Sequence, residues 1–220
     1  MKATLLTTPF AFLFTVMAAH AANVIVNGDF QTGTLTPFTT FTTVNGTNGG
    51  GGLPDVASFN TTGSGASLAA QFNVGGVSST GLAAGGGLDQ AFSLTSGGTF
   101  TYFANIASQD DADGQVNADA GTYSILIDGI TLDSQSLGGF SSANQILTGI
   151  LTGSVNLTAG AHTFEILITR DFLSSGTATP TEYVDNISLT SAAPEPATLA
   201  LSALTLIGLS ALRFGRKHSS

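Results

Sequence analysis

Few side chains in this sequence could perform chemistry. The chain has no Cys and three His. Two of the histidines, His20 and His218, lie in the terminal segments, which leaves His162 as the one imidazole of the central part. It stands at the start of an alternating apolar and polar run, where a strand-edge position is common. We therefore expect no Cys- or His-based nucleophile or metal cluster.

Two carboxyl groups are enough to catalyse glycoside hydrolysis, so Glu165 and Glu182 form the candidate catalytic pair of a glycosidase. Because side chains alternate along a strand, Glu165 is predicted to lie opposite the apolar face of Phe164 and Ile166 and to point to solvent. We interpret both glutamates as solvated strand residues. The alternative, a secreted polysaccharide hydrolase, requires the two to face each other across a cleft.

The densest acidic segment spans residues 109–119 and holds four Asp within ten residues. Carboxylate oxygens suit Ca²⁺, but no Glu closes the loop at the twelfth position, as an EF-hand requires. The pattern favours an acidic, solvated loop, and a calcium loop is the alternative.

Charge narrows the class of partner. Charged residues make up 9% of the chain and Gly numbers 28, a composition typical of β-rich proteins with many turns. Residues 22–193 contain thirteen acidic residues and one basic residue, Arg170, a net charge of −12. Such a surface repels nucleic acid and anionic lipid headgroups. Neutral sugars, cations and basic surfaces remain as partners.

The N-terminus has the order of a secretory signal peptide. Lys2 is followed by a short apolar stretch and then by Ala19-His20-Ala21, an A-x-A cleavage pattern. We predict a signal helix over residues 1–21, with cleavage by signal peptidase between Ala21 and Ala22.

The C-terminus combines three parts in a fixed order. Pro194-Glu195-Pro196, within a linker at 191–196, precedes sixteen uncharged residues, 197–212, and a basic tail at 213–220 with Arg213, Arg216 and Lys217. The uncharged run predicts a short transmembrane helix with its tail in the cytoplasm. At 1.5 Å per residue it measures ~24 Å against a ~30 Å hydrocarbon core. It would therefore be a weak permanent anchor.

This end resembles the PEP-CTERM sorting signal. The resemblance implies recognition and cutting by an exosortase, a membrane-embedded transpeptidase-like protease, in a Gram-negative bacterium that makes extracellular polysaccharide. The chain is then expected to be exported, held transiently in the inner membrane and delivered to the cell surface or exterior. A permanently tail-anchored membrane protein is the alternative.

Between the two ends, apolar residues alternate with polar ones over short runs that Gly, Ser and Asn clusters separate. This pattern predicts an all-β domain over residues 22–190, a two-sheet antiparallel β-sandwich. The strands are expected at Asn23–Val26, Thr39–Val44, Ser67–Phe72, Leu88–Leu94, Thr99–Ala107, Tyr123–Ile127, Ile146–Leu157, His162–Arg170 and Glu182–Leu189. For Ile146–Leu157, a break at Gly149 or Gly153 is the alternative. The Gly-rich runs 45–52, 75–87 and 173–181 are expected to be loops.

Two motifs resemble galactose-binding-like jelly rolls, a group that includes several families of carbohydrate-binding module. The segment 23–33 (NVIVNGDFQTG) is similar to their opening strand and turn, and 183–189 (YVDNISL) to their closing strand. The resemblance implies a structural Ca²⁺ between turn and strand, with Asp29, Gln31 and Asp185 in the matching positions. Gln31 replaces a residue that is often acidic and should weaken such a site.

Sugar binding by such folds uses aromatic platforms, and this chain has no Trp. Phe38 could be a platform or core packing, while Tyr102 and Tyr123 alternate with the apolar faces and are predicted to be internal. The sequence therefore indicates a surface or extracellular-matrix protein that is not an enzyme and is structural or binds a glycan weakly.

Overall fold

The computed structural model describes residues 21–111, 119–173 and 179–191. This part of the chain folds into strands and contains no helix, and several of the strands show the predicted alternation of apolar and polar residues. The strands are β1 Thr39–Thr42, β2 Gly46–Thr47, β3 Asp55–Phe59, β4 Ser67–Phe72, β5 Gly75–Gly76, β6 Ala84–Leu94, β7 Gly98–Gln109, β8 Thr122–Ile127, β9 Ile130–Ser136, β10 Ile146–Leu157, β11 Gly160–Arg170 and β12 Thr181–Ser191.

Two five-stranded sheets form the domain. The first sheet has the order β1-β6-β11-β8-β9, and the second sheet has the order β10-β7-β12-β4-β3. The pairs within both sheets are antiparallel, and β2 pairs with β5 beside them. The predicted all-β, two-sheet antiparallel sandwich is confirmed.

The core lies where the two inner faces meet. From the first sheet, β11 contributes Phe164, Ile166 and Ile168, each fully buried. From the second sheet, Ala104 and Ile106 of β7 are buried to the same extent. Glu165 and Leu167, which alternate with this set on β11, are only half-buried. The alternation seen in the sequence is therefore the alternation between core and outer face.

Several elements differ from the sequence prediction. Strands β2, β3, β5 and β9 were not expected. Asn23–Val26 is not a strand, because it makes a single bridge between Asn23 and Thr190 before the chain turns at Asn27, where φ is 57°. The run 45–52 is not wholly loop, because it contains β2. The run 75–87 is not wholly loop either, since it contains β5 and β6 begins at Ala84. Its glycines are needed there, because a Cβ on Gly87 would lie 1.8 Å from the Ile166 carbonyl oxygen.

Most of the targeting segments lie outside the described residues: the signal helix up to residue 20, the Pro194-Glu195-Pro196 motif, the apolar run 197–212 and the basic tail. The same holds for positions 112–118 of the acidic segment. Within the described ranges, no helix has the length and apolarity needed to cross a membrane.

Candidate functional site

The N-terminal turn docks on an irregularity in β12. Strand β12 shifts its register against β7 between Asp185 and Ser188. At that point the Ile187 amide donates to the Gly28 carbonyl at 2.8 Å. A Cβ on Gly28 would lie 1.9 Å from the Ile187 carbonyl oxygen, so only glycine permits this approach. The turn and the closing strand, which the resemblance to jelly rolls implied to be neighbours, are therefore in direct contact.

Asp185 is buried at this junction and has several hydrogen-bond partners. Its Oδ1 accepts the Asn186 amide at 2.6 Å. Its Oδ2 accepts hydrogen bonds from Ser67 Oγ at 2.5 Å, Asn186 Nδ2 at 3.2 Å and Thr61 Oγ1 at 3.4 Å. Burial raises the pKa of Asp185, and the negative charge of Asp29 adds to the rise. The charge of Asp29 therefore acts on Asp185, the other predicted calcium ligand with a carboxylate.

Asp29 and Gln31 are both exposed on the turn. The Gln31 side chain donates from Nε2 to the Asp29 backbone carbonyl at 2.9 Å, and the Gln31 backbone amide donates to Asp29 Oδ1 at 3.4 Å. A cation here would have two carboxylates, Asp29 and Asp185, the second of which already accepts four hydrogen bonds. No group of three His, Cys, Asp or Glu that could hold a metal occurs in the described ranges. The two carboxylates suit Ca²⁺ in type, and the calcium site stays a prediction.

A buried polar cluster joins the two sheets near one end of β11. Arg170 Nη1 lies 3.7 Å from Glu182 Oε1, and neither side chain is exposed to solvent. Arg170 also donates to the carbonyls of Asp119 at 3.1 Å and Val74 at 3.3 Å. Glu182 Oε2 accepts the Val74 amide at 2.9 Å. The sequence interpretation of Glu182 as a solvated residue was wrong.

Glu165 and Glu182 therefore do not face each other across a cleft. Glu165 lies on the outer face of the first sheet, where its Oε1 accepts the Gly129 amide at 3.2 Å, while Glu182 lies between the sheets. The structure places a different carboxylate beside Glu165. Asp89 of β6 is its direct cross-strand partner in the antiparallel pair, a relation that puts Cβ atoms about 5 Å apart.

Both ring nitrogens of His162 have hydrogen-bond partners. Nδ1 lies 2.7 Å from Asp128 Oδ2, and Nε2 lies 3.1 Å from the Thr158 carbonyl. Because both partners accept hydrogen bonds, they favour the doubly protonated ring, and the pKa of His162 is raised, chiefly by Asp128. The ring stacks on Phe92 with centroids 5.5 Å apart.

A groove of about 580 Å³ lies beside this ring pair, between the N-terminal segment and β6. Its apolar lining includes Val24, Val26, Pro37 and Phe92, and its polar lining includes Thr39 and Asp89. The N-terminal segment is fixed there by Gln90, whose Oε1 accepts the Val26 amide at 2.8 Å and whose Nε2 donates to the Val26 carbonyl at 2.9 Å.

The polar group in this groove is held in place. Thr39 donates a hydrogen bond from Oγ1 to Asp89 Oδ1, and the two residues are also cross-strand partners. A carboxylate fixed in this way can accept hydrogen bonds from a ligand with its remaining lone pairs. Apolar walls with a few placed polar groups are the usual lining of small-ligand sites. This groove could not be predicted from the sequence, because its walls come from three separated segments.

The aromatic residues considered for sugar stacking are buried. Phe38 packs on Phe30 with ring centroids 5.6 Å apart, and Tyr123 donates to the Ala107 carbonyl at 2.6 Å inside the core. Tyr102 is also buried. The internal positions predicted for both tyrosines are confirmed, and Phe38 belongs to the core.

No family model matches this chain, and no curated protein matches it. Among solved structures it is similar to the carbohydrate-binding module TmCBM61 in complex with β-1,4-galactotriose, at 13% identity over 78% of this chain and 99% of that chain, with a TM-score of 0.42. It is also similar to a family 35 carbohydrate-binding module from Clostridium thermocellum, at 13% identity over 79% and 100%, with a TM-score of 0.35. A cyclase from Fischerella sp. gives 13% identity over 80% and 98%, with a TM-score of 0.46. Likenesses at this level assign neither a ligand nor an activity.

Proposed function

We propose that this chain is an exported surface or extracellular-matrix protein that has no enzymatic activity and binds a neutral glycan weakly. The terminal segments are the targeting signals: a signal peptide at the N-terminus and a Pro-Glu-Pro, apolar and basic module at the C-terminus. Signal peptidase and an exosortase are the processing partners, and the inner membrane holds the chain only until it is cut. The β-sandwich is the part that reaches the exterior.

The groove beside β6 is the observation that carries the binding proposal. Its volume of about 580 Å³ falls within the usual range for small-ligand sites. The apolar side chains of Val24, Val26 and Pro37 offer a surface for the CH face of a sugar ring, and Asp89 accepts hydroxyl hydrogen bonds. A neutral sugar avoids the repulsion that the net negative charge of the chain imposes on anionic ligands. Affinity is low because no Trp is present to stack on the ring.

A glycan array on the purified chain, followed by calorimetric titration of the best neutral oligosaccharide, tests this proposal. Asp89→Ala should lower the affinity about tenfold or more, the loss expected for a hydrogen bond to a charged group. Asp55→Ala removes the same charge from β3 in the second sheet and should leave the affinity unchanged. Absence of neutral-glycan binding, or equal losses in the two variants, would refute the groove as the binding site.

The hydrolase alternative now has a different candidate pair. Asp89 and Glu165 are direct cross-strand partners on the outer face of the first sheet, and glycosidases act with a pair of carboxyl groups. A reducing-end assay on any glycan that binds separates the two functions. Hydrolysis that Glu165→Gln abolishes would favour the enzyme, whereas binding without hydrolysis favours the proposal above.

A further inference from the structure

Strand β10 (Ile146–Leu157) forms an outer edge of the second sheet. It pairs with β7 along twelve consecutive residues without a bulge. No strand of the described chain pairs with its other side. A long, regular, unpaired edge is a template for pairing with another strand, and most proteins shorten, charge or cover such edges.

One hydrogen bond shows which backbone groups point outward. The Thr152 amide donates to Asp133 Oδ2 of β9 at 3.0 Å, so it points away from β7. In an antiparallel strand, alternate residues direct their backbone groups to the same side. The amides and carbonyls of Thr148 and Ile150 therefore also lie on the outer edge. Among the described residues, Asp133 is the one that caps an amide on this edge.

The sequence of β10 begins with the tandem repeat Ile-Leu-Thr-Gly, residues 146–149 and 150–153. On a strand, this repeat sends every Ile and Thr to the outer face and every Leu and Gly to the core. Ile146 and Ile150 are 44% and 52% exposed, while Leu151 is buried. The glycines fix the inward side, because a Cβ on Gly153 would lie 2.3 Å from the Tyr102 hydroxyl.

The strand itself carries no charge, although Asp133 of β9 brings a carboxylate to its outer edge at the Thr152 amide. None of the twelve residues of β10 is ionisable, in a chain whose formal net charge is −9. The residues beside it on the outer face of β7, Phe103, Asn105 and Ala107, are uncharged as well. A second copy of this chain repels the first over most of the surface but not along this strand.

We propose that β10 pairs antiparallel with β10 of a second copy of the chain, about a two-fold axis at Thr148. Asp133 decides the register, because it occupies the Thr152 amide and divides the edge into a longer free stretch, residues 146–150, and a shorter one at 154–157. Centring on Thr148 places Ile146 opposite Ile150 of the partner subunit and the two Thr148 side chains opposite each other. These are β-branched cross-strand pairs of the kind that stabilise sheets. The second sheet of one copy and the second sheet of the other then form one continuous sheet of ten strands.

Single cysteines test the register, since the chain has no Cys of its own. Thr148→Cys should give a disulfide-linked dimer under mild oxidation, because the two Thr148 Cα atoms would lie about 5.5 Å apart, within the disulfide range. Thr152→Cys, four residues along the same strand, and Thr131→Cys, exposed on the edge strand β9, should remain monomeric. All three carry the same terminal segments, so association through those segments would cross-link them alike.

Analytical ultracentrifugation of the purified full chain gives the second readout. The wild type should dimerise more strongly as ionic strength rises, because salt screens the repulsion between the two acidic copies. Ile150→Lys should shift the equilibrium to monomer while its near-ultraviolet circular dichroism stays native, because the side chain is exposed. Thr148→Cys that cross-links no faster than Thr131→Cys, faster cross-linking of Thr152→Cys, or no weakening by Ile150→Lys would each overturn the proposal.

Discussion

Arg170 and Glu182 lie 3.7 Å apart inside the sandwich, with no solvent exposure of either side chain. Burial raises the pKa of Glu182 to about 8, although Arg170 and the Val74 amide act in the opposite direction. Tyr123 and Asp119 face the same cluster, and the Asp119 charge adds to the rise. The ionisation of Glu182 is therefore linked to folding.

The first prediction is a fall in stability with rising pH. The usual pKa of Glu182 is 4.5 and the folded-state value is about 8, so the folded chain binds this proton more tightly than the unfolded chain. The free energy of unfolding should then decrease between about pH 4.5 and 8 and level off above. Denaturant titrations across this range measure it, and Glu182→Gln, which cannot ionise, should remove most of the slope.

A second titrating group, His162, also lowers the free energy of unfolding as the pH rises, and this contribution needs its own control. The pKa of His162 is raised by Asp128, so its stabilising contribution is present below about pH 6.5 and is lost as the pH rises through the folded-state value. Asp128 is exposed, and the effect should be small. Asp128→Asn should remove this part alone. A wild-type slope that survives in Glu182→Gln would contradict the first prediction.

The second prediction concerns Arg170 itself. Arg170→Met removes the donors to the Asp119 and Val74 carbonyls and leaves Glu182 buried without its cation. The loss should be about 3–5 kcal/mol where Glu182 is ionised. It should be smaller at pH 5, where the carboxyl is neutral. Thermal and denaturant unfolding at pH 5 and 9 measure both, and an equal loss at the two pH values would argue against the coupling.

The sequence predicted the strands with clear alternation and missed those without it. Strands β4 and β10 have the predicted bounds. In β4 the apolar residues Leu68, Ala70 and Phe72 repeat with a period of two, whereas β10 keeps Leu147 and Leu151 inward and exposes Ile146 and Ile150. Strand β9 was missed because Thr131, Asp133 and Gln135 make it polar, as suits an edge strand beside solvent. The β6 extension was missed because Gly85, Gly86 and Gly87 carry no side-chain signal, and their role is a close backbone approach.

The buried ion pair could have been read from the same alternation. Extending the inward face of Phe164, Ile166 and Ile168 by two residues reaches Arg170, and Glu182 shares its face with Val184. A charged residue at an inward position indicates exposure to solvent only when no oppositely charged partner is near. Arg170, the one basic residue between the terminal segments, is the partner of Glu182. The groove beside β6 had no such signal, since contacts between distant segments create it.

The third prediction tests the contact between the opening turn and the closing strand. Gly28→Ala would place a Cβ 1.9 Å from a backbone oxygen that cannot move independently, so the turn must lift from β12. We expect a loss of about 1–3 kcal/mol, as for other overpacked sites. Gly98→Ala, where a Cβ would meet nothing within 4 Å, is the matched control and should be nearly neutral. Equal stability of the two variants would mean that the turn is not held at Gly28.

The fourth prediction concerns calcium at the same junction. If Asp29 and Asp185 share an ion, Ca²⁺ raises the melting temperature, because a ligand that binds only the folded state stabilises it. Asp29→Asn should abolish this rise with little effect on the stability measured in chelator, since the Asp29 side chain is exposed. Melting curves that coincide in millimolar Ca²⁺ and in chelator would count against the site.

The last prediction concerns sorting, which depends on residues outside the described ranges. If Pro194-Glu195-Pro196 is the recognition element and the apolar run only a temporary hold, the exported protein should end near Pro194 and lack Arg213, Arg216 and Lys217. Glu195→Ala leaves the apolar run and the basic tail intact, so insertion should persist. Processing should nevertheless fail, which would keep the chain in the membrane fraction. Mass spectrometry of the extracellular protein measures the C-terminus directly. An intact chain through Ser220 recovered from the cell exterior would refute processing, and an intact chain confined to the membrane would favour a permanent tail anchor.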